Sequence, residues 1–154
     1  MKVLFVCLGN ICRSPAAEGV FLHLIAEKGI SEEFEVDSAG TSSFHVGERA
    51  DSRMREHASM RGIELPSRAR QFIAQDFKDF DAIIVMDDSN YQNCVRLAAN
   101  DEQKEKVIKM ADFCPKSGES EVPDPYYGGA AGFEKVLDMV HEGCENLLKK
   151  WGFN

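Results

Sequence analysis

Apolar residues fall along this chain in two rhythms. Val3-Leu4-Phe5-Val6-Cys7-Leu8 and Ala82-Ile83-Ile84-Val85-Met86 are short unbroken runs, the pattern of strands buried on both faces. Elsewhere apolar positions return at helical spacing. Ala17, Val20, Phe21, Leu24 and Ile25 predict a helix with one buried face, opened at Ser14-Pro15 because proline tolerates the first helical turn, and ended by Gly29. Phe133, Val136, Leu137, Val140, Cys144, Leu147, Leu148 and Trp151 form the clearest stripe and predict a long last helix.

Between these, Phe34–Ser38 reads as a second strand, Gly40-Thr41-Ser42-Ser43 as a loop, Asp51–Arg61 as a helix stopped by Gly62, and Val107–Met110 as a further strand. With Lys2–Cys7 first, strand and helix alternate, which predicts an α/β fold with a parallel sheet covered by helices on both faces. No repeat, low-complexity tract or linker divides the chain, so residues 1–154 are expected to form a single domain. In open sheets of this kind ligands bind beyond the carboxyl ends of the strands, and Cys7–Ser14 lies at that edge.

Composition narrows the function. With 154 residues, 44% apolar and 29% charged, the chain can bury a full core without metal or disulfide staples, which excludes disordered, collagen-like and miniprotein classes. Eighteen Lys+Arg against 26 Asp+Glu leave a net charge of −8, so no nucleic acid or membrane partner held by bulk charge is expected, although a local basic pocket is compatible with that balance. No apolar run approaches the ~20 residues that cross a bilayer, and Asn10 and Arg13 arrive too soon for Met1–Leu8 to begin a signal peptide. Five cysteines, an odd number at 7, 12, 94, 114 and 144, favour a reducing, cytoplasmic setting. His23, His45, His57 and His141 have no metal-ligand spacing with them, so they read as solvated or core histidines, and neither metal nor cofactor is expected.

The chemistry concentrates in Cys7-Leu8-Gly9-Asn10-Ile11-Cys12-Arg13-Ser14-Pro15. A turn feeding a helix N-terminus can aim successive backbone N–H groups inward as an anion nest, with Gly9 permitting the twist. Arg13 offers a planar, permanently charged fork for two oxygens of a phosphate. That positive environment favours the thiolate of Cys7, a nucleophile, and Ser14 can donate its hydroxyl to it. The Gly-Lys-Ser/Thr of a nucleotide-binding loop is absent.

A cysteine followed by five residues, arginine and serine at the N-terminus resembles the signature of the low-molecular-weight protein tyrosine phosphatases. The likeness extends over nearly the whole chain: Asp37-Ser38-Ala39-Gly40-Thr41 with Phe44-His45-x-Gly47 is similar to the family's second conserved stretch, and Val122-Pro123-Asp124-Pro125-Tyr126-Tyr127-Gly128-Gly129 to its general-acid loop. The resemblance implies a four-stranded, doubly wound parallel sheet with an anion-binding loop after the first strand. It also implies Asp124 as proton donor, which local pattern alone would read as a turn residue between prolines. Protonating a departing aryloxide is what the reaction needs.

Tyr126, Tyr127 and Phe44 would flank the mouth as a slot for a flat phosphoaryl ring, with Leu8, Gly9, Asn10, Ile11 and Cys12 around the phosphate. In the family the two tyrosines are also phosphorylation sites. Asn10 and Ser38 would brace the loop, though from pattern they are equally turn residues. At Ser67, before Arg68-Ala69-Arg70-Gln71, many family members carry a longer histidine, and this departure implies a less rigid loop. Cys12, beside Cys7 in the loop, is a candidate to capture an oxidised Cys7 reversibly, or simply a small packing residue. The implied activity is hydrolysis of phosphotyrosine on proteins, among them a bacterial tyrosine kinase, or of aryl phosphates. Two alternatives are a thioredoxin-coupled arsenate reductase of the same fold, disfavoured because Cys94, Cys114 and Cys144 are scattered, and a phosphate- or phosphotyrosine-binding module without turnover.

Overall fold

In the computed structural model, which describes residues 1–154, the first strand β1 (Lys2–Cys7) lies at the middle of a sheet. Successive side chains of a strand point to opposite faces, so its unbroken apolar run serves two cores. Val3, Phe5 and Cys7 enter one core and Leu4 and Val6 the other. From β1 the chain turns into helix α1 (Arg13–Glu27), strand β2 (Glu35–Gly40), helix α2 (Ser52–Ser59), a single helical turn α3 (Asp76–Asp79) and strand β3 (Ala82–Val85). Helix α4 (Asp88–Val95), the short α5 (Asp101–Glu105), strand β4 (Val107–Lys109) and the long α6 (Ala130–Lys150) complete it.

The sheet is parallel throughout, in the order β2-β1-β3-β4. Because β2 and β3 leave on opposite sides of β1, the order reverses at the carboxyl end of β1, the crevice where doubly wound folds place ligands. α1 and α6 cover one face through Val20, Phe21, Leu24, Phe133, Val136, Leu137 and Val140. The second core, with Phe72, Phe77 and Cys94 beneath α3 and α4, covers the other. The stripe expected on the last helix is buried from Phe133 to Leu148, with Trp151 half-buried at its end.

The structure departs from the sequence reading in several places: α2 covers Ser52–Ser59 instead of Asp51–Arg61, with Asp51 as its cap, and β2 starts at Glu35 instead of Phe34. β2 runs on to Gly40, which pairs with Cys7 instead of opening a loop, and it needs glycine because a Cβ there would stand 2.8 Å from the Leu8 carbonyl oxygen. Met110 leaves β4 for a 3-10 turn. The short helices α3, α4 and α5 went unread; two of them begin at side-chain caps, Asp87 and Asn100, without enough apolar periodicity to announce a helix.

Candidate active site

Cys7 ends β1 and Arg13 begins α1, so the intervening residues must wrap around a point just beyond the sheet. The backbone N–H groups of Leu8, Gly9, Ile11 and Cys12 have no acceptor within the protein, and that of Asn10 reaches Cys7 Sγ at 3.3 Å. With the N-terminal dipole of α1 behind them, these groups make a concave site for an anion. The left-handed twist that lets the loop curl falls on Asn10, at φ 57°, and not on Gly9 as the sequence suggested. Gly9 is small for another reason: a Cβ there would lie 3.0 Å from the His45 ring.

Asn10 does not line the cleft, contrary to its placement among the substrate-binding residues; its side chain turns inward and is fully partnered. Its Nδ2 donates to Ser14 Oγ (2.8 Å) and Ser38 Oγ (2.9 Å), while its Oδ1 accepts from the Arg70 backbone N–H (3.0 Å). Ser38 in turn donates to Glu18 Oε1 at 2.7 Å. Burial raises the pKa of the Glu18 carboxyl, and the hydroxyls of Ser38 and Ser67 pull it back. The brace on Asn10 runs through Ser14, Ser38 and the Arg70 backbone and does not pass through Ser67. Ser14, also buried, stands 3.0 Å from Cys7 Sγ.

Arg13 is only 3% exposed and is clamped before any ligand arrives. Its Nη1 donates to Asp87 Oδ2 (2.7 Å) and to the Val122 carbonyl (3.1 Å), and its Nη2 lies 3.7 Å from Asp124 Oδ2. Burial works against the guanidinium charge, yet Cys7, Asp87 and Asp124 outweigh it and hold the pKa above its ordinary value. Asp87 does two jobs at once, since its other oxygen caps α4 by accepting from the Asn90 N–H at 2.8 Å.

Above the loop opens a cleft of about 330 Å³, walled by Cys7, Ile11, Cys12, Arg13 and Asp124 and rimmed by Phe44, His45, Tyr126 and Tyr127, with Leu8, Gly9 and Ser42 completing its edge. Phe44 and Tyr127 are 83% and 95% exposed, so the rim is apolar surface facing solvent. His45, read from the sequence as a solvated or core residue, is a rim residue whose Nδ1 pairs with Glu48 at 2.8 Å. Asp124 is half-exposed, and its Oδ1 accepts from the Tyr126 N–H (3.1 Å). Burial, followed by the charges of Asp51, Cys7 and Asp124, pushes the Cys12 thiol far up.

Cys7, Arg13, Asp124 and the aromatic rim thus share one cleft, with Ser14 buried directly behind Cys7. Asp87 and Glu18, which support the loop from behind, were not singled out in the sequence, and Arg70 and His45 were named there without these roles. Residues 2–152 match the family model described as low molecular weight phosphotyrosine protein phosphatase. The chain belongs to that family. The crystal structure of a protein tyrosine phosphatase from Entamoeba histolytica with Hepes in the active site is 48% identical, covers 98% of this chain and 96% of its own, and superposes with a TM-score of 0.95. The low molecular weight protein-tyrosine-phosphatase YfkJ of Bacillus subtilis is 41% identical over 149 residues, 96% of this chain and 94% of its own. A Drosophila arginine phosphatase is 32% identical with a TM-score of 0.92, covering 100% of this chain and 99% of its own. By its relatives, this chain is a protein-tyrosine phosphatase.

Proposed function

We propose that this phosphatase works without metal through a phosphocysteine on Cys7, and that its substrates are phosphotyrosine side chains of proteins. The observation that carries the reading is the position of Cys7 Sγ: 3.3 Å from the Asn10 backbone nitrogen of the loop and 3.0 Å from Ser14 Oγ, with Arg13 and Asp124 on the same cleft. The loop amides and Arg13 hold the three non-bridging oxygens, leaving phosphorus in line with the thiolate. As sulfur bonds to phosphorus the aryl C–O–P link opens, and Asp124 gives its proton to the departing tyrosyl oxygen. The same carboxylate then takes a proton from water, which attacks phosphorus. The S–P bond breaks, inorganic phosphate leaves, and the Ser14 hydroxyl supports the regenerated thiolate.

The aromatic rim favours an aryl ester, since Phe44, Tyr126 and Tyr127 offer flat faces at the entrance. A protein tyrosine kinase that carries its own phosphotyrosines is one substrate of this kind. The other cysteines support the phosphatase reading over arsenate reduction: Cys94, Cys114 and Cys144 are buried away from the cleft, and burial pushes the thiols of Cys94 and Cys114 up to about 12. Five free thiols fit a reducing compartment such as the cytoplasm. Cys7→Ser abolishes turnover while the loop still binds vanadate; wild-type turnover in that variant overturns the reading.

Cys12 supports a second activity of the same site, reversible inactivation. It lines the cleft beside Cys7, so a peroxide that converts Cys7 to the sulfenic acid leaves a thiol at hand to displace water and close a disulfide. Intact-mass analysis after peroxide then shows loss of two hydrogens, restored by added thiol. Irreversible addition of oxygens would argue against this.

A further inference from the structure

Asp124 lies in a stretch with no regular structure, between Val122 and the start of α6. Two of its hydrogen bonds are internal, Tyr126 N–H to Asp124 Oδ1 (3.1 Å) and Gly128 N–H to the Pro125 carbonyl (2.9 Å). From residues 123–128 a single hydrogen bond reaches the rest of the protein, and its donor is Arg53: Nη2 to the Tyr126 carbonyl at 3.0 Å. Arg13 does not take this part, because its 3.7 Å approach to Asp124 is too long for a hydrogen bond. Its fork, moreover, is wanted by the substrate.

The geometry points to Arg53 as a positioning residue that holds the proton-donating loop over the cleft, an inference that rests on Asp124 as the acid. The guanidinium is itself held on the body of the protein. Its Nε and Nη2 pair with the two oxygens of Asp51 at 3.1 and 3.0 Å, and Asp51 caps α2 by accepting from the Arg53 and Met54 N–H groups. The flat face does further work: the guanidinium carbon lies 5.4 Å from the Tyr126 ring centroid and 4.9 Å from that of Phe133, the latter buried on α6. One side chain therefore joins the α2 cap, the first turns of α6 and the carbonyl two residues beyond the acid. A lysine, with a point charge and no fork, cannot hold Asp51 by both oxygens and reach that carbonyl together.

An acid held in place matters most when the leaving group is poor. Phenyl phosphate and dinitrophenyl phosphate separate the two cases, because dinitrophenolate departs without a proton. Arg53→Ala is expected to lower kcat/KM for phenyl phosphate at least about tenfold, a modest share of what general acid catalysis supplies. On dinitrophenyl phosphate the fall stays below about threefold, and Arg53→Lys lies between wild type and Arg53→Ala on the poorer ester. Added to Asp124→Ala, Arg53→Ala causes no further loss on phenyl phosphate, since the acid it positions is gone. Equal losses on both esters, beside an Asp124→Ala enzyme that does depend on the leaving group, would overturn the tether alone. An Asp124→Ala enzyme with no such dependence would overturn the acid assignment, and the tether with it.

Discussion

Asn10 donates its side-chain amide to Ser14 Oγ at 2.8 Å, and that bond decides where the Ser14 hydrogen goes. An amide N–H only donates, so Ser14 must accept it and turn its own hydrogen elsewhere. Cys7 Sγ, at 3.0 Å, is the nearer acceptor, with the Ala39 carbonyl at 3.4 Å. The brace of the loop thereby also orients the hydroxyl that faces Cys7 Sγ.

In the proposed mechanism Ser14→Ala removes a hydrogen bond to the attacking and departing thiolate. Such bonds contribute about 1.5–3 kcal/mol, so kcat is expected to fall about ten- to hundredfold. Rapid-quench kinetics check which step slows: breakdown of the phosphoenzyme should suffer most, because thiolate is its leaving group. An unchanged breakdown rate would remove Ser14 from the chemistry.

Asp87 combines a cap with an ion pair, and two variants separate them. Asn caps as Asp does, so Asp87→Asn keeps α4 stable but weakens the hold on Arg13; Asp87→Ala loses both, with about 1 kcal/mol of stability from the cap alone. Phosphate affinity is expected to drop in both variants and urea stability to drop clearly only in Asp87→Ala. Equal destabilisation in the two would contradict the division.

Glu18 predicts a pH effect. A buried carboxyl whose folded pKa is raised binds its proton more tightly folded than unfolded, so its contribution is present below the ordinary value of 4.5 and is lost as pH rises through the raised one. Glu18→Gln keeps an acceptor for Ser38 and cannot ionise. Its stability relative to wild type should therefore improve as pH rises from 4 towards neutrality, approximately a one-proton effect, measured by urea unfolding at each pH. A difference that does not change with pH would show that Glu18 is not perturbed.

These residues also mark how far the sequence was legible. The alternation within Val3–Cys7, the stripe of α6 and the compact Cys7–Ser14 loop are local patterns, and local geometry follows from them. Asp87, Glu18 and Arg53 were not legible, because each acts on a partner far along the chain: Asp87 on Arg13 across 74 positions, Arg53 on Tyr126 across 73. An acidic or basic residue at the edge of a helix looks solvated until the sheet order brings the two ends together. Gly9 shows a subtler miss, since glycine suggests twist, while here it makes room for His45 and the twist sits on Asn10.

Structural similarity to an arginine phosphatase makes the leaving group a fair question. The exposed rings of Phe44 and Tyr127 favour a flat aryl ester over a flexible guanidino chain. On matched peptides kcat/KM should favour phosphotyrosine over phosphoarginine, and Phe44→Ala should narrow the gap by several fold, about 1 kcal/mol of ring contact. A preference for phosphoarginine would move the substrate class, leaving Cys7 and its loop unchanged.

The central claim is the covalent intermediate. Enzyme in EDTA is mixed with phosphate-labelled para-nitrophenyl phosphate, quenched within one turnover and digested for peptide mapping. Label on the peptide containing Cys7, absent in Cys7→Ser and persisting longer in Asp124→Ala as hydrolysis slows, is the result expected. Full turnover with no labelled cysteine at any quench time, or turnover that EDTA abolishes, would contradict it.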